Sequence, residues 1–200
     1  MVIRKDIRAI IFDLDGTIFH LKIDWETVKT KLNQLLGEKN LNFDQIARKL
    51  SESGNQKAVE YLEQAEIQGV TAGIETNNAS NVLRDLSENY QLAVVTRNSR
   101  HAAQKVIDKY NLSNVLIVGR EDVKKLKPHP EAIELVLRKH NLNKEEVIVV
   151  GDTLHDLLAA QHLGIKCIIV KNQSLDFIPE GSDYYFDNLN ELQKYLRGEV

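Results

Sequence analysis

The chain has 200 residues, a formal net charge of −3 and 28% charged residues. That length suits one domain, or one domain carrying a modest insertion, and the charge gives no basic excess of the kind a general nucleic-acid binder shows. The hydrophobic share of 42% is that of an ordinary globular protein, and no window approaches the roughly 20 apolar residues a membrane span needs. Cys167 is the only cysteine, which excludes an internal disulfide. It sits in an apolar run and reads as a buried small side chain rather than a reactive thiol. The run Ala9-Ile10-Ile11-Phe12 is too short for a signal-peptide core. A cytoplasmic location is therefore expected, and the glycosylation sequons at Asn78, Asn111 and Asn172 carry no message.

In chain order, the first predicted element is a strand from Ile7 to Phe12. After Gly16 come about sixty residues without a convincing strand, far beyond the roughly 2–6 of a normal strand-to-helix connection. They carry helix patterns: Trp25, Val28, Leu32, Leu35 and Leu36, opened by Asp24 and closed by Gly37; then Phe43, Ile46, Ala47 and Leu50; then Val59, Leu62 and Ala65. We read residues 19–76 as a small helical cap, and residues 1–18 with 77–200 as the core domain. A helix with Val82, Leu83 and Leu86 returns the chain to strands at Leu92 to Val95, Val115 to Val118, Val147 to Val150 and Cys167 to Val170. Helical patterns separate them: Ala102, Ala103, Val106, Ile107 and Tyr110; Ala132, Ile133, Val136 and Leu137; Leu154, Leu157 and Leu158. None of the strand runs alternates polar with apolar, as expected of strands covered on both faces. Strand–helix alternation of this kind predicts an α/β fold with a doubly wound parallel sheet.

Ligands in such sheets bind beyond the carboxyl ends of the strands, so the residues after each run are the candidates. They are Asp13-Leu14-Asp15-Gly16-Thr17 after the first, Thr96-Arg97-Asn98-Ser99 after the second, Lys124 to Pro128 beyond the third, and Gly151-Asp152-Thr153-Leu154-His155-Asp156 after the fourth. Clustered carboxylates repel one another unless a hard cation such as Mg²⁺ sits among them. A lysine and hydroxyls beside the metal provide for an anion. Metal, anion site and carboxylate nucleophile together are the equipment of phosphoryl transfer.

These four motifs, in this order and at strand ends, resemble the haloacid dehalogenase superfamily, in particular its phosphatase branch with a helical cap after the first motif, of the phosphoglycolate-phosphatase-like type. The resemblance covers nearly the whole chain. It implies a Rossmann-like core and hydrolysis of a small phosphorylated metabolite, with Mg²⁺ as cofactor and neither nucleic acid nor membrane as partner. Asp13 is then the nucleophile that becomes an aspartyl-phosphate, and Asp15 the acid and base. Their i, i+2 spacing lets both side chains share a face of the extended chain. Mg²⁺ would be held by the Asp13 carboxylate, the Asp15 backbone carbonyl and Asp152. Thr96 and Lys127 would hold phosphate oxygens, and Asp156 would orient metal-bound water or Lys127.

Each residue also has a plainer reading. Asp-x-Asp-Gly is a common turn, Thr96 a helix opener, Lys127 a solvated lysine beside Lys124 and Lys125, and Thr153 with Asp156 a capping box. Arg97 stands where relatives commonly carry asparagine; it either binds a second anionic group of the substrate or points to solvent. His20, Lys22 and Trp25 at the cap entrance are candidates for specificity, with Trp25 also suited to the core of the first cap helix. A phosphomutase shares all four motifs and is the enzymatic alternative. A non-catalytic binding protein is the alternative from another class, although such proteins usually lose the nucleophile, acid or metal ligand that this chain keeps.

Overall fold

The computed structural model describes residues 6–172 and 179–199. Residues 1–5, 173–178 and 200 of the expected core lie outside them. β1 (Ala9–Phe12) is buried along its length and pairs in parallel with β4 (Gln91–Val95) on one side and β6 (Val147–Gly151) on the other. β5 (Leu116–Val118) lies outside β4, while β7 (Lys166–Val170) and β8 (Tyr184–Phe186) follow β6. The order β5-β4-β1-β6-β7-β8 is parallel throughout. The chain works outward from β1 to β5 and then crosses to β6, so the direction of winding reverses beside β1.

Helices cover both faces, which is why the strands read as unbroken apolar runs. On one face Ile10 and Phe12 pack with α4 (Ala79–Leu86), α5 (Arg100–Lys109) and α8 (Leu189–Arg197). On the other, Ala9 and Ile11 pack with α6 (Glu131–His140) and α7 (Leu154–Gln161), and Cys167 is buried there. Burial pushes the Cys167 thiol well above its ordinary range, so it is a packing group. Leu154, expected on the buried face of α7, is instead 45% exposed. The sheet has a sixth strand, β8, that the sequence pattern did not announce. Its Tyr184, Tyr185 and Phe186 are only half-buried at the sheet edge.

The long stretch after β1 holds three helices between the strands of a short antiparallel ribbon, β2 (Phe19–His20) with β3 (Ile74–Glu75). α1 (Trp25–Leu36) opens on Asp24, whose side chain accepts from the Thr27 amide, and ends on Gly37 in the left-handed conformation. α2 (Phe43–Ser53) starts from a capping box made by Asn42 and Gln45, and α3 (Gln56–Ala72) from Asn55. Their facing sides form a separate apolar cluster of Val28, Leu32, Ile46, Leu50, Ala58 and Leu62. α3 also reaches the core: Val70 joins the α5 side of the sheet, and Lys109 donates to its carbonyl at 2.8 Å. Among the described residues no helix is long and apolar enough to cross a membrane.

Leu32 is fully buried at the centre of the three-helix cluster. Leu32→Ala is expected to cost about 2–5 kcal/mol in denaturant unfolding; a loss below about 1 kcal/mol would contradict this packing.

Candidate active site

β1 delivers Asp13 to the carboxyl edge at the centre of the sheet, and the Asp13 amide continues the ladder by donating to the Val150 carbonyl at 2.9 Å. The chain then folds back sharply: Ile18 and Phe19 amides donate to the Leu14 carbonyl, and Leu14 is fully buried. Gly16 has a φ of +93°, and a Cβ there would collide with the Asp152 carboxylate and the Asn172 amide. Glycine is needed on both counts. The turn brings the Thr17 hydroxyl to Asp152 Oδ1 at 2.8 Å, while Asn172 Nδ2 donates to Asp152 Oδ2 at 2.6 Å. Asp152 itself comes from the end of β6.

Lys127 is 5% exposed, and its ammonium makes three bonds: to Asp13 Oδ1 at 2.6 Å, to Asp156 Oδ1 at 2.5 Å and to the Val95 carbonyl at 2.8 Å. Asp156 has both roles that the sequence suggested. Its Oδ2 accepts from the amide and hydroxyl of Thr153 at the start of α7, while Oδ1 holds Lys127. A Cβ on Gly151 would strike the Asp156 side chain, so glycine at the end of β6 makes room for the pair.

Burial disfavours every one of these charges. For Lys127 the two carboxylates outweigh burial and hold its pKa above the ordinary value. For Asp156, burial is overcome by Lys127 and by the Thr153 hydrogen bonds, leaving its pKa below the usual range. One ammonium cannot serve two carboxylates equally: burial pushes Asp13 up to about 7 despite Lys127, and Asp152 up to about 6. One carboxylate oxygen from each of Asp13, Asp152 and Asp156 lies within 4.8 Å of the others. With all three ionised, one lysine would leave two negative charges uncompensated. Hard oxygen donors with that excess fit a small divalent cation. The Asp15 side chain is outside this cluster; its Oδ1 accepts from the Leu21 amide at 2.9 Å, and burial raises it to about 7.

Thr96, buried at the end of β4, donates its hydroxyl to Asn98 Oδ1 at 2.9 Å and accepts from the Asn98 amide at 3.1 Å. Arg97 is turned to the insertion, with its guanidinium 2.5 Å from Asp44 of α2 and 2.9 Å from His155 Nε2. A cavity of about 560 Å³ opens between core and insertion. Asp13, Asp15, Thr96, Arg97 and Lys127 line it from the core, and Trp25, Phe43, Leu62 and Glu66 from the insertion. Trp25 packs edge-on against Phe43 at 5.3 Å, as suits the first helix of the insertion, and it also lines the cavity. His20 and Lys22 are not among the lining residues; His20 belongs to the ribbon, paired with Ile74.

Four groups at the site were missed by sequence reasoning. Asn172 follows β7 as the other site residues follow their strands, so the strand-end rule applied to the fifth run would have found it. Glu66 occupies a core-facing position of α3, between Leu62 and Val70 at helical spacing, and a glutamate there was a legible anomaly. Its partner Arg120 also follows a strand, just beyond Val118, whereas the Arg97 partner Asp44 had no local signal.

A family model for haloacid dehalogenase-like hydrolases matches residues 10–170. The pyrophosphatase PpaX of Oceanobacillus iheyensis is 27% identical, over 93% of this chain and 95% of its own length. The phosphoglycolate phosphatase of Vibrio parahaemolyticus is 22% identical, over 94% and 96%. Other pyrophosphatase relatives, 31% and 33% identical, are spanned over only about half of their length. Among solved structures, a phosphatase of the same superfamily from Thermococcus onnurineus superposes with a TM-score of 0.69 at 23% identity, covering 96% of this chain and 99% of that one.

Because folded Asp15 holds a proton that the unfolded chain has released, its stabilising share is present below about pH 4 and is lost as pH rises towards 7. Asp15→Asn keeps an acceptor for the Leu21 amide and cannot ionise. In chelator, the stability of Asp15→Asn relative to wild type should rise by a few kcal/mol between about pH 4 and pH 7. A difference that stays level or shrinks would contradict the burial of Asp15.

Proposed function

The chain belongs to the family of haloacid dehalogenase-like hydrolases, and from that membership we propose that it is a magnesium-dependent phosphatase of small phosphomonoesters, working through an aspartyl-phosphate on Asp13. The observation that carries the reading is Asp13 itself. It stands at the end of the central strand, faces the cavity, and shares Lys127 with Asp156 beside Asp152. Asp13, Asp152 and the Asp15 backbone carbonyl would hold Mg²⁺. When bound, that ion would neutralise the excess carboxylate charge and the charge of the phosphoryl oxygens.

The rest of the chemistry falls to the chain's own side chains. Asp13 attacks phosphorus with one carboxylate oxygen. Lys127 stays beside it to neutralise charge on the phosphoryl group, and its two other bonds keep it from following the substrate out. The Thr96 hydroxyl proton turns from Asn98 to a phosphoryl oxygen, while the Asn98 amide continues to hold the hydroxyl oxygen. Asp15, raised to about 7, carries a proton near neutrality. Its Oδ1 is engaged by Leu21, so Oδ2 carries that proton to the leaving oxygen. As a carboxylate it then takes a proton from the water that cleaves the acyl-phosphate.

The insertion forms the opposite wall and acts as a cap that excludes water. Arg97 is engaged by Asp44, so a second anionic group on the substrate would have to take it from that partner. Phosphate liberated into solution, rather than moved within the substrate, distinguishes this reading from a phosphomutase.

Phosphate release from an aryl phosphate should require Mg²⁺ and stop in chelator. Asp13→Asn should lower it by at least about a thousandfold. Wild-type turnover in Asp13→Asn, with deamidation excluded by mass, would contradict the nucleophile; full turnover in chelator would contradict the metal.

A further inference from the structure

Glu66 is 1% exposed, on a helix whose other inward residues at that spacing are Leu62 and Val70. A carboxylate persists in such a place only if its charge and lone pairs are met. Here they are all met by the core. Oε2 accepts from the Ser99 amide at 2.9 Å and from Arg120 Nη2 at 3.2 Å; Oε1 accepts from Arg120 Nη1 at 2.6 Å and from Asn98 Nδ2 at 3.4 Å. Arg120, just beyond β5, also donates to the Arg97 carbonyl at 3.1 Å. One side chain from the insertion thus touches the loop after β4 at Asn98 and Ser99, and through Arg120 at residue 97.

We propose that Glu66 is a positioning residue for phosphate binding: from the insertion helix it locks the loop that carries Thr96, acting through Asn98 and Ser99. The proposal rests on the phosphatase reading above and adds a residue to it. The relay is short. Glu66 takes the Asn98 amide nitrogen, which leaves the Asn98 amide oxygen facing the Thr96 hydroxyl, and that hydroxyl also accepts from the Asn98 backbone. Ser99, pinned by Glu66, caps α5 through its own hydroxyl, so the backbone on the far side of Thr96 is anchored to a helix. Glu66 also faces the cavity with Thr96, so an insertion seated on the core and a loop set for phosphate become the same condition. Loosening the loop misplaces a donor in the transition state more than it weakens ground-state binding, so the loss should fall on kcat.

Steady-state hydrolysis of an aryl phosphate in Mg²⁺ by the full chain tests this. Glu66→Gln keeps the shape, but it loses the charge and sets a donor among donors. A fall in kcat of about 10- to 100-fold is expected, with KM changed less than about twofold. The double variant Glu66→Gln/Arg120→Gln removes the guanidinium left unpaired and should keep the kcat deficit. Should Glu66→Gln not fold, Asn98→Ala leaves the Glu66–Arg120 pair intact and cuts the relay, and the same fall in kcat is expected. Where both fold, their combination should lose less than the product of the two single losses. Wild-type kcat in Glu66→Gln or in Asn98→Ala, recovery in the double variant with Arg120→Gln, a loss confined to KM, or multiplying losses would each overturn the proposal. An active wild type with any of those results overturns this proposal alone. A wild-type chain that releases no phosphate overturns the phosphatase reading as well.

Discussion

Lys127 keeps its ammonium almost wholly out of water, 2.6 Å from Asp13 and 2.5 Å from Asp156, with its third bond to the Val95 carbonyl. A buried ammonium is tolerable only when all its donors are used and its charge is met, and that requirement fixes the surroundings. It ties the ends of β1, β4 and the start of α7 to one atom. It demands a side-chain-free residue at Gly151, because Asp156 must lean across the strand end to reach it. It also leaves a remainder: with Asp156 satisfied, Asp13 and Asp152 share an excess of negative charge, which burial raises towards neutral pKa values. On the reading proposed above, a divalent cation would offset that excess.

The insertion contributes through the same physics. Its three helices bury their own apolar cluster, which makes them a coherent unit; besides the apolar seat of Val70, two charged contacts join them to the core. Glu66 meets Arg120 and the Ser99 amide inside, and Asp44 meets Arg97 at the cavity mouth. The inner pair is nearly dry, whereas Asp44 is largely exposed. By the ordinary worth of such contacts, the outer pair contributes little. Losing one member of the inner pair strands a buried charge. The insertion's wall of the cavity is apolar at Trp25, Phe43 and Leu62; on the proposed reading it would shape the leaving-group space.

The sheet was legible because parallel strands buried on both faces leave continuous apolar runs, as in β1, β4, β5, β6 and β7. β8 was not, since an edge strand of half-buried tyrosines has no such run, and neither was a ribbon whose strands are two residues long. Asp13, Thr96, Lys127, Asp152 and Asp156 could be nominated because each follows a strand, and the fold brings strand ends together. Asn172 obeyed the same rule and was passed over. Partners that depend on how the insertion seats on the core, Glu66 with Arg120 and Asp44 with Arg97, are separated by 54 and 53 residues. No local pattern predicts such pairings; only the buried glutamate on α3 was visible as an oddity.

The central claim is that Asp13 takes the phosphoryl group, and peptide mass spectrometry on acid-quenched protein tests it most directly. The Asp15→Asn chain is mixed in Mg²⁺ with an aryl phosphate whose leaving group needs no proton. Attack then proceeds, but the water step lacks its base, so one phosphoryl group should accumulate on Asp13. A phosphoryl group on another side chain, or steady phosphate release with Asp13 never modified, would contradict the account.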